Sequence, residues 1–342
     1  GSGGQSSPNL PHIPVIQSAL DARTERWVEE YKEFTPALAQ YVDGEPLTIE
    51  CTAPAEDISR ARYALLDRAS LVNTTDSELL QIVLRESKVY FGGGTPGLLN
   101  ENCFERLMDA LKMKFKIEEN VEVSMEVNPA AVTEDKLLAF RKAGLNRISI
   151  GAQSFDDAVL KILGRIHKAG QITETVTAAR NAGIDNLSLD LMFGISGQTI
   201  ESWEKSVEAA IASAPEHISL YSLEIMDNTR FARDCDKGIY HQTTEEDDRK
   251  MYKISLEMMD AAGYRQYEIS NAAKPGYECR HNLRYWSMGE YMGLGPSAHS
   301  FLNGTRYSNI PDVDAYILSE GRLAVCDYTV NTQSDNISEY IF

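Results

Sequence analysis

The sequence predicts an α/β fold built from a parallel βα repeat, closed into a full barrel or left as a partial one. From about residue 88, short strand-like segments alternate with segments of helical periodicity. Three predicted helices end in the same way, at Ala143-Gly144, Ala182-Gly183 and Ala262-Gly263, and a strand-like segment follows each. Glycine suits the left-handed position after a helix C-terminus. Such an alternation places parallel strands in one sheet, with the helices as crossover connections.

Six segments rich in β-branched or aromatic residues are the predicted strands of this repeat. They are Lys88–Phe91, Val121–Val127, Arg147–Ile150, Asn186–Met192, His217–Leu223 and Arg265–Ile269. Between them, Gln171–Ala182 and Glu201–Ala214 carry apolar residues at helical spacing and are predicted helices. Further along the chain, Asn303-Gly304 predicts a tight turn.

Polar residues stand at or near the ends of the predicted strands, where chemistry gathers in parallel βα folds. They are Glu126, Gln153, Asp190, Glu224 and Glu268. One polar residue at a strand end is ordinary, because it often caps the next helix. Five around one sheet favour a rim that faces a ligand.

Residues 8–87 do not continue the repeat and are predicted to form an N-terminal segment that is mainly helical. Its predicted elements are the helices Asp21–Val42, Ile58–Leu71 and Ser77–Arg85 and the short strand Leu47–Cys51. This segment either supplies the first βα unit of the barrel or forms a separate helical cap. We expect residues 1–7 to be a disordered cloning remnant and residues 311–342 to begin a truncated C-terminal region.

Composition and charge argue against several classes of protein. Acidic residues outnumber basic ones by 51 to 33, which gives a net charge of −18, and an acidic surface repels the phosphate backbone of nucleic acids. No segment has the ~18 consecutive apolar residues that could cross a bilayer. The five cysteines are dispersed along the chain, which indicates reduced thiols in a cytoplasmic protein and not a disulfide framework.

A glycine-rich segment follows the first predicted strand. It contains Gly92, Gly93 and Gly94, and Thr95 comes next. Glycines let a backbone approach a ligand closely and leave N–H groups that can bind an anion. The segment lacks the Gly-Lys-Ser/Thr of the phosphate loop and the spacing of the dinucleotide fingerprint. Taken alone, it is more often only a turn.

Six further segments follow the glycines in order. They are Glu126–Pro129, Arg147–Phe155, Leu163–His167, Asp190–Gly194, Pro275–Trp286 and Gly293–His299. The whole series resembles the radical S-adenosylmethionine proteins related to oxygen-independent coproporphyrinogen III oxidase, and among them most closely the haem-chaperone branch. The resemblance covers residues 88–310 and implies a partial or full TIM-like barrel of the radical S-adenosylmethionine type.

The resemblance implies an S-adenosylmethionine site in the barrel. The segment Gly92–Thr95 would lie along the methionine part of that ligand, and Glu126, Gln153, Arg165 and Asp190 match the family residues that surround it. Such a set suits a zwitterionic sulfonium ligand, because carboxylates bind its positive charges and a guanidinium binds its carboxylate.

The resemblance also implies a haem site at His281, Asn282 and Tyr285. His281 would ligate the haem iron, and Tyr285 with Trp286 would cover the macrocycle. The ordinary alternative is a hydrogen-bonded histidine beside core aromatic residues. His167 and His299 are weaker candidates, since either could simply line the mouth of the barrel.

The sequence departs from the family at its iron–sulfur motif. The family holds a [4Fe–4S] cluster on a Cys-x-x-x-Cys-x-x-Cys loop. Here the stretch His12–Val15 is similar to the residues that precede that loop, but the first cysteine is Cys51, and it has no neighbour at the required spacing. Either this is a cluster-free relative that keeps ligand binding, or its first βα unit has been replaced in an engineered or recombined chain.

These observations favour a haem-chaperone-like protein that binds haem or another tetrapyrrole, and S-adenosylmethionine as well, without radical turnover. A first alternative is an active radical oxidoreductase or methyltransferase whose cluster ligands are not recognisable. A second is a hybrid barrel with no natural activity. The expected partners are a tetrapyrrole or other small molecule and a haem-recipient protein of unknown identity.

Overall fold

A computed structural model describes residues 88–93, 95–115, 117–225, 229–318 and 325–330. The predicted elements between Asp21 and Arg85 lie outside the described residues. The described residues divide into two compact units. The first comprises residues 88–109 and 120–283, and the second comprises residues from 110–119 and from 284 onward.

The first unit carries the predicted βα repeat. Its strands are β1 Val89–Phe91, β2 Val123–Val127, β3 Arg147–Gln153, β4 Asn186–Phe193, β5 His217–Ser222, β6 Arg265–Glu268 and β7 Asn271–Ala273. Its helices are α1 Glu101–Lys114, α2 Glu134–Ala143, α3 Asp157–Ile162, α4 Ala169–Asn181, α5 Ile200–Ala212, α6 Arg230–Asp236, α7 Glu245–Ala261 and α8 Arg280–Trp286. The last residues of α1 and α8 belong to the second unit.

The strands form one mainly parallel sheet in the order β1-β2-β3-β4-β5-β7-β6. Strands β1 to β5 pair in parallel, each with the next along the chain, which confirms the predicted parallel repeat. The short strand β7 is antiparallel to both β5 and β6 and separates them. It was not predicted, because Asn271–Ala273 has no β-branched or aromatic residue.

Alternate residues of the parallel strands face different surroundings. In β3, Ile148 and Ile150 are fully buried, whereas Arg147, Ser149 and Gln153 line a polar cavity. Parallel strands covered on both faces usually read as continuous apolar runs. The strict polar–apolar alternation here therefore marks one face of the sheet for packing and the other for a ligand.

The predicted helices α4 and α5 are present, and the glycines expected after α2, α4 and α7 have φ of 126°, 77° and 86°. Threonine caps fix several helix starts. Thr199 Oγ1 accepts from the Ser202 amide at 3.1 Å and satisfies an N–H that has no partner inside the helix.

Trp203 joins α5 to α7 in the core of the first unit. Its side chain is fully buried, and its ring lies 5.5 Å from that of Phe193. The indole Nε1 donates to the Met251 carbonyl at 3.0 Å and to Ser255 Oγ at 2.7 Å. The packing thus also satisfies the one polar atom of the indole.

The second unit contains a small antiparallel sheet. Its elements are β8 His299–Leu302, β9 Thr305–Asn309, α9 Val313–Leu318 and β10 Val325–Val330, with strand order β10-β9-β8. Asn303 and Gly304 join β8 to β9 with φ of 50° and 69°, which confirms the predicted tight turn. None of the helices in the described part of the chain has the length and apolar character needed to span a bilayer.

Candidate functional site

A polar cavity of about 290 Å³ lies against the inward face of the sheet in the first unit. It is lined by Tyr90, Glu126, Arg147, Ser149, Gln153, Asp190, His217, Ser219, Tyr221, Cys279 and Asn282. These residues come from β1 to β5 and from the start of α8. Convergent polar groups in a cavity near the lower end of the ~300–1,000 Å³ range are typical of a small-molecule site.

Glu126 ties the glycine segment to the wall of the cavity. Its Oε1 accepts from the Tyr90 hydroxyl at 2.8 Å, and its Oε2 accepts from the Gly93 amide at 3.2 Å. A Cβ on Gly92 would lie 2.7 Å from the Tyr90 ring and 2.9 Å from Glu126 Oε1. Only glycine fits this close approach. Gly94 lies outside the described residues, and Thr95 Oγ1 accepts from Asn128 Nδ2 at 3.4 Å.

Gln153 reaches the cavity through an irregularity in its strand. The pairing of β3 with β4 shifts register between Ile150 and Gln153, and Gln153 has a φ of 64°. A β-bulge of this kind re-aims the side chain that follows it. Left-handed backbone in a residue other than glycine costs energy and clusters at functional positions, which agrees with a role for Gln153 in binding.

Asp190 is the second carboxylate of the cavity. The Ser149 hydroxyl donates to its two oxygens at 2.9 and 3.1 Å. Burial raises the pKa of Asp190, and the Ser149 hydrogen bond offsets part of that rise. A carboxyl group in this setting can serve as a hydrogen-bond partner for a ligand.

Arg147 is a buried cation at the start of β3, with 2% of its surface exposed. Its Nε has no hydrogen-bond partner among the described residues. Burial by itself lowers the pKa of Arg147, but the nearby acidic groups, Cys279 and Glu122 first, more than offset this, so the net shift is upward. The guanidinium therefore stays charged inside the cavity.

His217 connects two parts of the cavity through hydrogen bonds. Its Nδ1 lies 2.8 Å from Ser188 Oγ, and its Nε2 lies 2.8 Å from the Tyr267 hydroxyl. Burial, and then the charge of Arg147, lowers the pKa of His217 well below 6.5, so this imidazole is neutral. Because the Tyr267 oxygen accepts from the Cys279 amide, its own proton is available to donate to Nε2.

His281 and Asn282 stand in the first turn of α8. The His281 ring stacks on Tyr90 with centroids 4.3 Å apart and planes 9° apart. Burial, followed by the charges of Arg147 and Lys88, lowers the pKa of His281 to about 4. Asn282 lines the cavity and donates to the Tyr267 hydroxyl at 3.4 Å. Tyr285 is 43% exposed.

The predicted rim of five strand-end residues was wrong for two of its members. Glu126, Gln153 and Asp190 line the cavity, but Glu224 and Glu268 do not. Strand β5 ends at Ser222, so Glu224 lies beyond it in an exposed position. Glu268 accepts from the Ser270 amide at 3.1 Å and from the Asn271 side chain, so it closes the turn between β6 and β7.

Arg165, His167 and His299 are not among the cavity-lining residues either. Arg165 lies in the loop after α3, where partial burial lowers its pKa. His167 is buried, with Nε2 3.2 Å from the Ala152 carbonyl. His299 is exposed at the start of β8 in the second unit.

Comparison with known proteins identifies the family. The model of the radical SAM superfamily matches residues 74–210. Heme chaperone HemW of Bacillus subtilis is 37% identical over 279 residues, which are 79% of this chain and 74% of that protein. This chain belongs to the radical S-adenosylmethionine superfamily, in the HemW branch. HemW of Escherichia coli is 38% identical over 232 residues, which are 67% of this chain and 60% of the E. coli protein.

The fold of the HemW-branch chain is also that of a solved relative. Coproporphyrinogen III oxidase (HemN) of Escherichia coli, a radical SAM enzyme, superimposes with a TM-score of 0.67 at 21% sequence identity. The superposition covers 84% of this chain and 67% of the HemN chain. The likeness confirms the predicted α/β barrel-type fold.

The HemW-branch cavity has groups that fit S-adenosylmethionine, the ligand of this superfamily. The Gly92 segment allows close approach of a ligand, and Glu126 and Asp190 offer carboxylates to positive charge. By contrast, the described residues do not provide a set of ligands for a [4Fe–4S] cluster. No three histidine, cysteine or acidic side chains among them are grouped to hold a metal, and Cys103 is exposed while Cys279 is buried.

Several cavity residues were not predicted from the sequence. They are Tyr90, Arg147, Ser149, His217, Ser219, Tyr221 and Cys279. A signal for most of them is present in the alternation of β3 and β5, which read Arg-Ile-Ser-Ile and His-Ile-Ser-Leu-Tyr. Polar residues at every second position of a parallel strand point to a polar interior.

Proposed function

We propose that this protein binds haem or a closely related tetrapyrrole as a haem chaperone, with His281 as the iron ligand. The observation that carries the proposal is the state of His281, a neutral imidazole at pH 7 held against Tyr90 beside the polar cavity. A neutral imidazole is the form that coordinates a metal. Two relatives that match 79% and 74% of this chain, from Bacillus subtilis and Lactococcus lactis, are named heme chaperones, which supports the same function.

The local structure around His281 suits a ligand that must keep one orientation. Stacking on Tyr90 fixes the plane of the imidazole, and Tyr90 is itself anchored by its hydrogen bond to Glu126. A ring held in this way loses little freedom on coordination. Tyr285 follows one helical turn after His281 in α8, and its contact with the macrocycle, like that of Trp286, stays a prediction.

A haem titration tests this function. Wild-type protein should develop a Soret band that saturates near one haem per chain, and His281→Ala should bind more weakly with a shifted band. His241→Ala is the matched control, because His241 is exposed and stands apart from the cavity-lining residues. Equal spectra and affinities for all three proteins would rule out His281 as the ligand.

We also propose that the cavity takes the amino-acid end of S-adenosylmethionine. Glu126 would accept hydrogen bonds from its ammonium group, with the backbone of Gly92 and Gly93 alongside, and Gln153 and Asp190 would contact the remainder. Arg165, which the resemblance assigns to the ligand's carboxylate, does not line this cavity. Equilibrium dialysis with labelled S-adenosylmethionine tests the site, and Glu126→Gln should weaken binding by about 10-fold if it removes one charge-assisted hydrogen bond.

A radical enzyme of the same superfamily is the second candidate function, favoured by the family match over residues 74–210. The sequence has no Cys-x-x-x-Cys-x-x-Cys motif, so binding without radical turnover is the function proposed first. Iron and acid-labile sulfide after anaerobic reconstitution distinguish the two. About four of each per chain would favour the enzyme, and near-zero values would favour the chaperone.

A further inference from the structure

Among the described residues, Arg147 is a buried cation without a counter-ion in contact. No carboxylate oxygen among the described residues lies within salt-bridge distance of its guanidinium, and its Nε makes no hydrogen bond there. The carboxylates in and around the cavity are engaged elsewhere. Glu126 binds Tyr90 and Gly93, Asp190 accepts from Ser149, and Glu122 accepts from the Arg280 amide.

Arg147 Nε, the donor without a partner among the described residues, lies in a row of paired residues that crosses three strands, which we call the layer. Ser124 on β2 and Asn186 on β4 are the sheet partners of Arg147 on β3. Each has a buried polar atom without a partner among the described residues, Ser124 Oγ and Asn186 Oδ1. Native proteins leave few such atoms. Arg147 Nε and the Ser124 hydroxyl can donate to an anion, whereas Asn186 Oδ1 can only accept. Of these three residues, Arg147 is the one that lines the cavity.

The charges around Arg147 restrict what that group can be. The acidic groups Glu126 and Asp190 share the cavity with this guanidinium, and each negative charge on a ligand adds to the repulsion from them. Phosphate, which is multiply charged, is therefore disfavoured more than a single carboxylate on a larger molecule. A carboxylate also matches the planar fork of a guanidinium through two parallel hydrogen bonds.

We propose that the Arg147 guanidinium binds a carboxylate of the ligand at the base of the cavity. The inference rests on the proposed function for the identity of that ligand. Two molecules offer the same chemistry there. They are a tetrapyrrole, through a propionate, and S-adenosylmethionine, through its amino-acid carboxylate.

The experiment compares each ligand with an analogue that lacks the carboxylate. The ligand pairs are haem with its dimethyl ester, and S-adenosylmethionine with decarboxylated S-adenosylmethionine. The proteins are wild type, Arg147→Gln, Arg147→Lys and the control Arg106→Gln, whose arginine is exposed on α1. Circular dichroism checks the folding of each variant, and Arg147→Lys, which keeps the charge but loses the fork, serves if Arg147→Gln does not fold.

The expected result is a loss of about 10- to 100-fold in affinity for one carboxylate-bearing ligand in the Arg147 variants, with no loss for its analogue and none in Arg106→Gln. The pair that responds identifies the source of the carboxylate. If wild type binds no haem but Arg147 variants lose S-adenosylmethionine, the proposed function fails and this inference stands. If wild type binds each ligand and its analogue equally well, or the Arg147 variants behave like Arg106→Gln, an ordered water fills the layer and the inference is overturned.

Discussion

Replacing His281 with asparagine should make the protein less sensitive to acid. Burial, with the charges of Arg147 and Lys88, holds the pKa of His281 at about 4 in the folded chain, whereas a histidine in an unfolded chain has a pKa of about 6.5. Between these values the unfolded state takes up a proton that the folded state does not. The neutral His281 therefore leaves stability intact above about pH 6.5, and stability is lost as the pH falls toward 4.

The size of the effect follows from the two pKa values. Each pH unit below 6.5 costs about 1.4 kcal/mol until the folded state also takes up the proton. The wild type should therefore lose about 2 kcal/mol at pH 5 and about 3 kcal/mol at pH 4 through His281 alone. His167 and His217 also have lowered pKa values, but they are present in both proteins and cancel in the comparison.

Urea unfolding followed by far-UV circular dichroism at pH 7.5 and pH 5.0 measures the difference. The free energy of unfolding of wild type should fall by about 2 kcal/mol more than that of His281→Asn over this interval. His241→Asn is the control and should behave like wild type, because His241 is exposed. Losses that agree within about 0.5 kcal/mol for wild type and His281→Asn would show that His281 is not buried in a neutral state.

Two further outcomes follow from the core and the thiols. Trp203→Phe should lower the free energy of unfolding by about 1–3 kcal/mol, because it leaves a buried acceptor at Ser255 without its donor. Trp286→Phe is the control. Because Trp286 is 41% exposed, this substitution should change the free energy of unfolding by less than about 0.5 kcal/mol. Burial raises the pKa of the Cys279 thiol, so iodoacetamide at pH 8 should label exposed Cys103 first. Mass spectrometry of timed digests checks this order, and equal labelling rates in native protein would contradict the buried position of Cys279.

The regular elements of the repeat could be predicted from local sequence alone. The strands at Asn186 and His217 and the helices α4 and α5 differ from their predicted bounds by one or two residues. Local periodicity carries this information, because each element must bury its apolar side against a neighbour. The glycine after a helix is an equally local signal, because the residue at that position adopts a positive φ and glycine does so without strain.

The candidate site was predicted only in part, because side chains far apart in the chain converge there. The resemblance indicated Glu126, Gln153 and Asp190, and all three line the cavity. It included Arg147 in a matching segment but assigned it no role, because an arginine at a strand start looks like any polar residue until its neighbours are known. Glu268 was misplaced because an unpredicted strand, β7, lies between β5 and β6.

The sequence by itself determined the fold class, the family and which ionisable residues are available to the site. Tertiary structure decided which of them share a cavity, which histidines are kept neutral by burial, and which arginine has no counter-ion in contact among the described residues. The physical reason is that secondary structure depends on neighbours in the chain, whereas burial, pKa and hydrogen-bond satisfaction depend on neighbours in space. Arg147 and His281 are 134 positions apart in the sequence, yet the charge of one helps to lower the pKa of the other.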